Sequence, residues 1–100
     1  IDDAAALQEA GAIMIVLEMV PDRLARLISQ RLAIPTIGIG AGQHCDGQIL
    51  VVSDMLGLYE EFHPRFVRYY AHLADTIRES VGGYVKDVKE EKFPNQKESY

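Results

Sequence analysis

The chain has 100 residues, of which 48% are hydrophobic and 25% are charged, and its formal net charge is −5. This composition is enough for one domain with an apolar core, and the net negative charge disfavours nucleic acid as a partner. The longest apolar run, residues 12–17, is far shorter than the ~20 residues of a membrane span, so no membrane partner is predicted. The single cysteine, Cys45, cannot form an internal disulfide, and we expect a cytoplasmic protein.

The first half of the chain alternates between predicted helices and strands. Residues 3–10 predict a short helix that ends at a glycine, and the unbroken apolar run 12–17 predicts a strand buried on both faces, as in a parallel sheet. A second helix is predicted between Pro21 and Ile34. Proline is tolerated in a first turn, and the residue before the next proline disfavours helical angles.

The second half begins with a strand predicted over residues 36–39, a glycine-rich loop over 40–47 and a third strand over 48–52. A long helix is predicted from His63 to Val88, because its apolar residues recur at steps of three and four. The order of elements indicates a parallel sheet with helices packed on it. The loop between the last two strands is short for a parallel crossover, so a pared-down barrel unit and an antiparallel pair both remain open.

Carboxylates follow two of the predicted strands. Glu18 lies at the carboxyl end of a predicted buried strand, where α/β folds place their functional sites. It is therefore a candidate proton-transfer group. A first-turn acid that stabilises the following helix is an equally consistent interpretation of its position. Asp54 takes the equivalent place after the third strand, where a cap on the turn at residues 55–57 is favoured over a ligand contact.

The glycines between the second and third strands permit a close approach of the backbone to its neighbours. A dinucleotide fingerprint requires Gly-x-Gly-x-x-Gly at the start of a helix. Gly38, Gly40 and Gly42 instead read Gly-x-Gly-x-Gly, and a strand follows them. The sequence therefore favours a tight turn between strands, and phosphate binding has weak support.

Other reactive residue types give little indication of chemistry. His44, Cys45 and Asp46 are adjacent in a loop, and three neighbouring residues rarely converge on one metal ion. Ser53 lacks the glycine-flanked elbow of a nucleophilic serine. The late aromatic residues are predicted to pack in the core or between subunits; they are Phe66, Tyr69, Tyr70 and Tyr84.

Four segments together resemble the ketopantoate hydroxymethyltransferase family. They are Glu9–Glu18 with Val20-Pro21, Ile34–Gly42, Cys45–Gly57, and Phe93-Pro94 with a terminal aromatic residue. This resemblance implies the C-terminal portion of a (β/α)8 TIM barrel of the phosphoenolpyruvate/pyruvate type. Residues 1–92 would then be barrel units of an incomplete domain, and residues 93–100 would be the C-terminal tail.

The resemblance also implies an activity. Members of the family transfer a hydroxymethyl group from 5,10-methylenetetrahydrofolate to 3-methyl-2-oxobutanoate, through an enolate stabilised by Mg²⁺, and so make 2-dehydropantoate for pantothenate synthesis. Glu18 matches the family's glutamate at the end of the sixth strand, which implies a proton-transfer role. No position here matches the family's acidic magnesium ligands, which would lie in a missing N-terminal part of the barrel.

The same resemblance implies a homo-oligomer, commonly a decamer. Two other interpretations are also consistent with the sequence. One is a related barrel lyase or mutase that acts on a phosphorylated 2-oxo acid. The other is a non-catalytic assembly module that docks on a partner through its aromatic helix.

Overall fold

A computed structural model describes all residues of the chain, 1–100. They form two compact units, one of residues Ile1–Val51 with His63–Arg68 and the other of Val52–Phe62 with Tyr69–Tyr100. The elements are α1 (Asp2–Glu9), β1 (Ile15–Glu18), α2 (Asp22–Arg31), β2 (Thr36–Ile39), β3 (Gly47–Gln48), α3 (Val52–Met55), α4 (Leu73–Lys89) and a 3₁₀ helix (Gln96–Glu98). None of the helices combines the length and the apolar character that crossing a membrane would require.

The first unit is built on a three-stranded parallel sheet in the order β1-β2-β3. Ile15 pairs with Thr36 and Glu18 with Ile39, so β1 and β2 are in register over their whole length. β3 is also parallel to β2. The predicted parallel sheet is therefore confirmed, and the antiparallel alternative for the last pair is wrong. Closure of such strands into a TIM barrel stays a prediction.

The core lies on one face of this sheet. Ile15 and Leu17 are buried together with Ala25 and Ile28 of α2, whereas Val16 between them is 54% exposed. The prediction that this strand is buried on both faces is therefore wrong for this chain. The strand also begins three residues later than predicted, because the backbone N–H of Ala12 still donates to the carbonyl of Leu7 at the end of α1.

A polar network fixes the start of β2 within this core. The Thr36 side chain is fully buried and lies 2.6 Å, oxygen to oxygen, from the Ser29 hydroxyl of α2. Asp46 Oδ2 accepts hydrogen bonds from the Thr36 backbone N–H (2.8 Å) and from its hydroxyl (3.1 Å). These bonds hold the pKa of the Asp46 carboxyl below its usual value, because they favour the ionised form. The network ties the glycine-rich loop to the sheet.

The third strand is much shorter than the predicted 48–52. It covers only Gly47–Gln48, and the backbone N–H of Ile49 makes the last bond to β2, to the carbonyl of Gly38. β2 ends at Ile39 and turns away, so no partner backbone remains for the apolar residues that follow. The chain enters α3 at Val52 instead.

The long helix of the second unit also differs from its prediction. α4 begins at Leu73, ten residues after the predicted start at His63, and it continues through Gly82-Gly83 without interruption. The residues before it form a turn, in which the backbone N–H of Val67 donates to the carbonyl of Pro64 (3.0 Å). Val67 is buried in the first unit, and this burial overrides the helical spacing of the sequence.

The rest of the second unit is largely exposed to solvent. α4 presents an apolar stripe whose members are between 41% and 57% exposed, namely Ile77, Val81, Tyr84, Val85 and Val88. The Tyr84 and Phe93 rings form an edge-to-face pair with centroids 5.5 Å apart. Residues 95–100, which end the C-terminal tail, are all exposed to solvent.

Candidate active site

Glu18 and the glycine turn meet at the carboxyl edge of the parallel sheet. Glu18 is the last residue of β1 and pairs in register with Ile39, the last residue of β2. The backbone N–H of Met19 donates to the carbonyl of Ile39 at 2.9 Å, and Gly40 follows directly. The two features that the sequence singled out therefore come together at the edge where parallel folds place their chemistry.

The Glu18 side chain lies on the sheet face opposite the core. It alternates with the buried Leu17, is exposed, and makes neither a hydrogen bond nor an ion pair. Register-paired side chains of neighbouring strands lie on one face, so its neighbour there is the buried Ile39. The Glu18 carboxylate therefore has no polar partner within this chain. Its catalytic role stays a prediction.

The backbone directly after Glu18 is strained. Met19 has a φ of 51°, in the left-handed region that costs a non-glycine residue roughly 1–2 kcal/mol. Its side chain is 69% exposed, so burial does not offset that cost locally. Strain of this kind concentrates at functional sites. The sequence gives no signal for it, because methionine has no preference for this conformation.

The glycine turn brings backbone against side chains from other parts of the first unit. A Cβ atom at Gly40 (φ 65°) would lie 2.8 Å from Cδ1 of Phe66, and one at Gly42 (φ 79°) would lie 1.8 Å from Oδ1 of Asp22. Both glycines are therefore required by close packing and by their positive φ. The predicted turn between the strands is observed, and the groups that approach its backbone are the side chains of Phe66 and Asp22.

A cleft of about 560 Å³ opens beside this turn. Met19 and Asp22 line it from the segment after β1, and Gly40 and Gly42 from the turn. The His63–Arg68 segment completes it with Arg65 and Phe66. The sequence pattern does not mark this segment as part of the cleft, because its apolar spacing merges with that of α4.

The remaining candidate residues take structural positions. Cys45 packs against the core cluster, and Asp46 binds Thr36 as described above. The Asp54 side chain makes no hydrogen bond, so the predicted cap is absent; its backbone carbonyl accepts from the N–H of Gly57. The chain contains no group of three His, Cys, Asp or Glu side chains that could share a metal ion. Its residues therefore do not fit a magnesium site by themselves.

Comparisons with known proteins give one consistent result. The family model described as ketopantoate hydroxymethyltransferase matches residues 1–96. A 3-methyl-2-oxobutanoate hydroxymethyltransferase of Chlorobaculum parvum is 58% identical over 99% of this chain and 36% of its own length. The enzyme of the same name from Syntrophus aciditrophicus is 57% identical over 99% of the chain and 36% of its length. One from Clostridium botulinum is 50% identical over the whole chain and again 36% of its length. The chain thus spans about a third of the length of these relatives.

Proposed function

Because the chain belongs to the ketopantoate hydroxymethyltransferase family, we propose that it supplies the proton-transfer edge of an enzyme that hydroxymethylates 3-methyl-2-oxobutanoate. The product would be 2-dehydropantoate, an intermediate of pantothenate synthesis. The observation that carries the proposal is the position of Glu18. A family match over residues 1–96 coincides with a free carboxylate at the carboxyl end of β1, beside the glycine turn.

In the proposed reaction Glu18 acts as the general base. Its carboxylate removes the single proton on the substrate carbon next to the carbonyl, and the electron pair of that C–H bond moves into the enolate. The enolate carbon then forms a bond to the methylene carbon of 5,10-methylenetetrahydrofolate, which is held by two C–N bonds in that donor. In the net reaction both C–N bonds break and a water molecule supplies the hydroxyl oxygen. The two nitrogens of the resulting tetrahydrofolate take up one proton from the substrate and one from that water. A positioned general base contributes about 10²–10⁴-fold to such a step.

Magnesium, the folate donor, a decameric assembly and a cytoplasmic location remain proposals that rest on the resemblance. This chain by itself offers no set of ligands for magnesium. Any such ligands would belong to the part of the relatives that this chain does not cover. The alternative of a related lyase or mutase gains no support from the comparisons, since all the relatives described above are named hydroxymethyltransferases.

The proton-transfer step is tested separately from the whole reaction. In D₂O, and without the one-carbon donor, the complete protein that carries this chain should exchange the proton next to the carbonyl of 3-methyl-2-oxobutanoate for deuterium. Proton NMR follows this exchange directly. Glu18→Gln should slow exchange and overall turnover by at least about 100-fold while leaving the thermal midpoint near that of the wild type.

Glu9→Gln is the matched control. Glu9 is also an exposed glutamate, at the end of α1, and its replacement makes the same change in charge. Exchange at the wild-type rate in Glu18→Gln would remove Glu18 from the proposed role, even if overall turnover fell for another reason.

A further inference from the structure

The His63–Arg68 segment forms one wall of the cleft beside the glycine turn, although it lies more than twenty residues further along the chain. Two contacts fix its shape. Val67 is buried in the first unit, and a ring nitrogen of His63 lies 2.7 Å from the Val67 carbonyl oxygen. Of the three residues between these anchors, Arg65 and Phe66 are thereby held at the cleft.

Phe66 supplies the apolar part of this wall. Its ring lies against the Cα of Gly40, at a distance that leaves no room for a Cβ atom there. Phe66 is half-buried, so part of the ring faces the open space of the cleft. Met19 and Pro21 line the same cleft and extend its apolar surface. A ligand with an apolar body would therefore be desolvated against this wall.

Arg65 supplies a positive charge with no partner in the chain. It lines the cleft, it is exposed, and it forms no ion pair or hydrogen bond. The guanidinium group binds carboxylates in a bidentate geometry that a point charge does not match. The Asp22 carboxylate near Gly42 also lines the cleft, so a bound ligand must present a donor group, not a second acid, to that side.

We propose that this cleft binds a small molecule that combines an apolar body with a carboxylate, and that Arg65 pairs with that carboxylate. The inference rests on the proposed function, because both substrates of that reaction carry carboxylates. A volume of about 560 Å³ falls in the range of sites for drug-sized ligands. It is therefore better matched to the folate donor than to the much smaller 2-oxo acid.

The test uses three variants of the complete protein: Arg65→Gln, Arg65→Lys and the control Arg68→Gln. Arg68 belongs to the same segment and is exposed, but it does not line the cleft. Arg68→Gln therefore removes the same charge as Arg65→Gln without changing the cleft. KM is measured for each substrate with the other saturating. Arg65→Gln should raise one KM about tenfold with kcat changed less than threefold. Arg65→Lys should recover part of that loss, and Arg68→Gln should leave both KM values unchanged.

The identity of the ligand follows from the substrate that is affected. A rise in the KM for the folate donor is the expected result, while a rise for the 2-oxo acid alone would assign the cleft to the smaller carboxylate. Unchanged values for both substrates in Arg65→Gln would overturn the proposal. A loss of kcat with unchanged KM values would overturn it equally, because it would indicate a structural role for Arg65.

Equilibrium binding separates this inference from the proposed function. Isothermal titration of wild type and Arg65→Gln with tetrahydrofolate and with 3-methyl-2-oxobutanoate does not require turnover. Arg65-dependent binding by a protein without transferase activity would keep the cleft and reject the proposed function. Turnover together with binding that does not depend on Arg65 would keep the proposed function and reject the assignment of the cleft. Circular dichroism melting of each variant checks that the His63–Arg68 segment has not lost its packing.

Discussion

Replacing Gly40 by alanine tests the packing of the glycine turn in the most direct way. Two separate costs arise at this position. Gly40 has a φ of 65°, which an L-residue tolerates poorly, and its new Cβ atom would lie 2.8 Å from Cδ1 and 2.9 Å from Cγ of the Phe66 ring. Because real Cβ contacts essentially never fall below 3.0 Å, the ring or the turn must move.

The size of the effect follows from these two parts. The left-handed backbone conformation costs alanine roughly 1–2 kcal/mol. Forcing a methyl group into a filled contact adds typically about 1–3 kcal/mol. Gly40→Ala should therefore lower the free energy of unfolding by about 2–5 kcal/mol, a large part of the stability of an ordinary domain.

The control for the backbone part is Gly11→Ala. Gly11 also has a positive φ, of 98°, but no atom lies within 4 Å of a Cβ built there. Its substitution should cost only the backbone term of roughly 1–2 kcal/mol. Phe66→Ala supplies the control for the steric part, since in that background Gly40→Ala should fall to the cost of Gly11→Ala.

Urea unfolding followed by circular dichroism at 222 nm measures all four proteins: Gly40→Ala, Phe66→Ala, their double variant and Gly11→Ala. The double-mutant cycle should give a coupling energy of about 1–3 kcal/mol between Gly40 and Phe66. Additive effects of the two single substitutions would show that the ring does not rest on the turn. The cleft described above would then lose its apolar wall.

Three further predictions concern other positions. Gly82→Ala should raise the free energy of unfolding by about 0.5–1 kcal/mol, because Gly82 lies inside α4 with open space around it. A lower free energy of unfolding for this variant, measured in urea, would show that this part of α4 is not helical. Met19→Asn should be better tolerated than Met19→Val by about 1 kcal/mol, because asparagine accepts the left-handed conformation and a β-branched residue does not; equal thermal midpoints would contradict the strain at Met19. Because the pKa of Asp46 is lower in the folded state than its unfolded value of 3.8, the ionised carboxylate should stabilise the fold fully above pH 3.8. This stabilisation should be lost as the pH falls below 3.8 and through the lower pKa of the folded state. Thermal midpoints between pH 2 and 6 should therefore depend on pH more strongly in the wild type than in Asp46→Asn.

The sequence predicted those parts of the fold that local patterns determine. The second strand is observed over the predicted residues, and α1 lies within one residue of its predicted bounds, because a glycine marks its end. α2 begins one residue after Pro21, as predicted, but ends at Arg31, three residues before Ile34. The meeting of Glu18 with the glycine turn was also predictable, because parallel strands bring their carboxyl ends to one edge.

The errors occur where a tertiary contact overrides a local pattern. Residues 49–52 have the composition of a strand, but β2 ends at Ile39 and leaves them without a partner. The segment around Phe66 has helical spacing, but the burial of Val67 places it over the glycine turn instead. The cleft depends on that placement, so no reading of periodicity could have found Arg65.

The exposed face of β1 links the structure to its proposed chemistry. Val16 and Glu18 point away from the core, and in this chain nothing separates them from water. A general base that removes a proton from carbon works best where bulk water is excluded, because the enolate would otherwise be reprotonated. Nearly two thirds of the length of each relative lies outside the matched region. A segment of that length is long enough to cover this face. On the proposed function, Val16 would then become part of an enclosed apolar wall, and Glu18 the one charged group that this wall holds against the substrate.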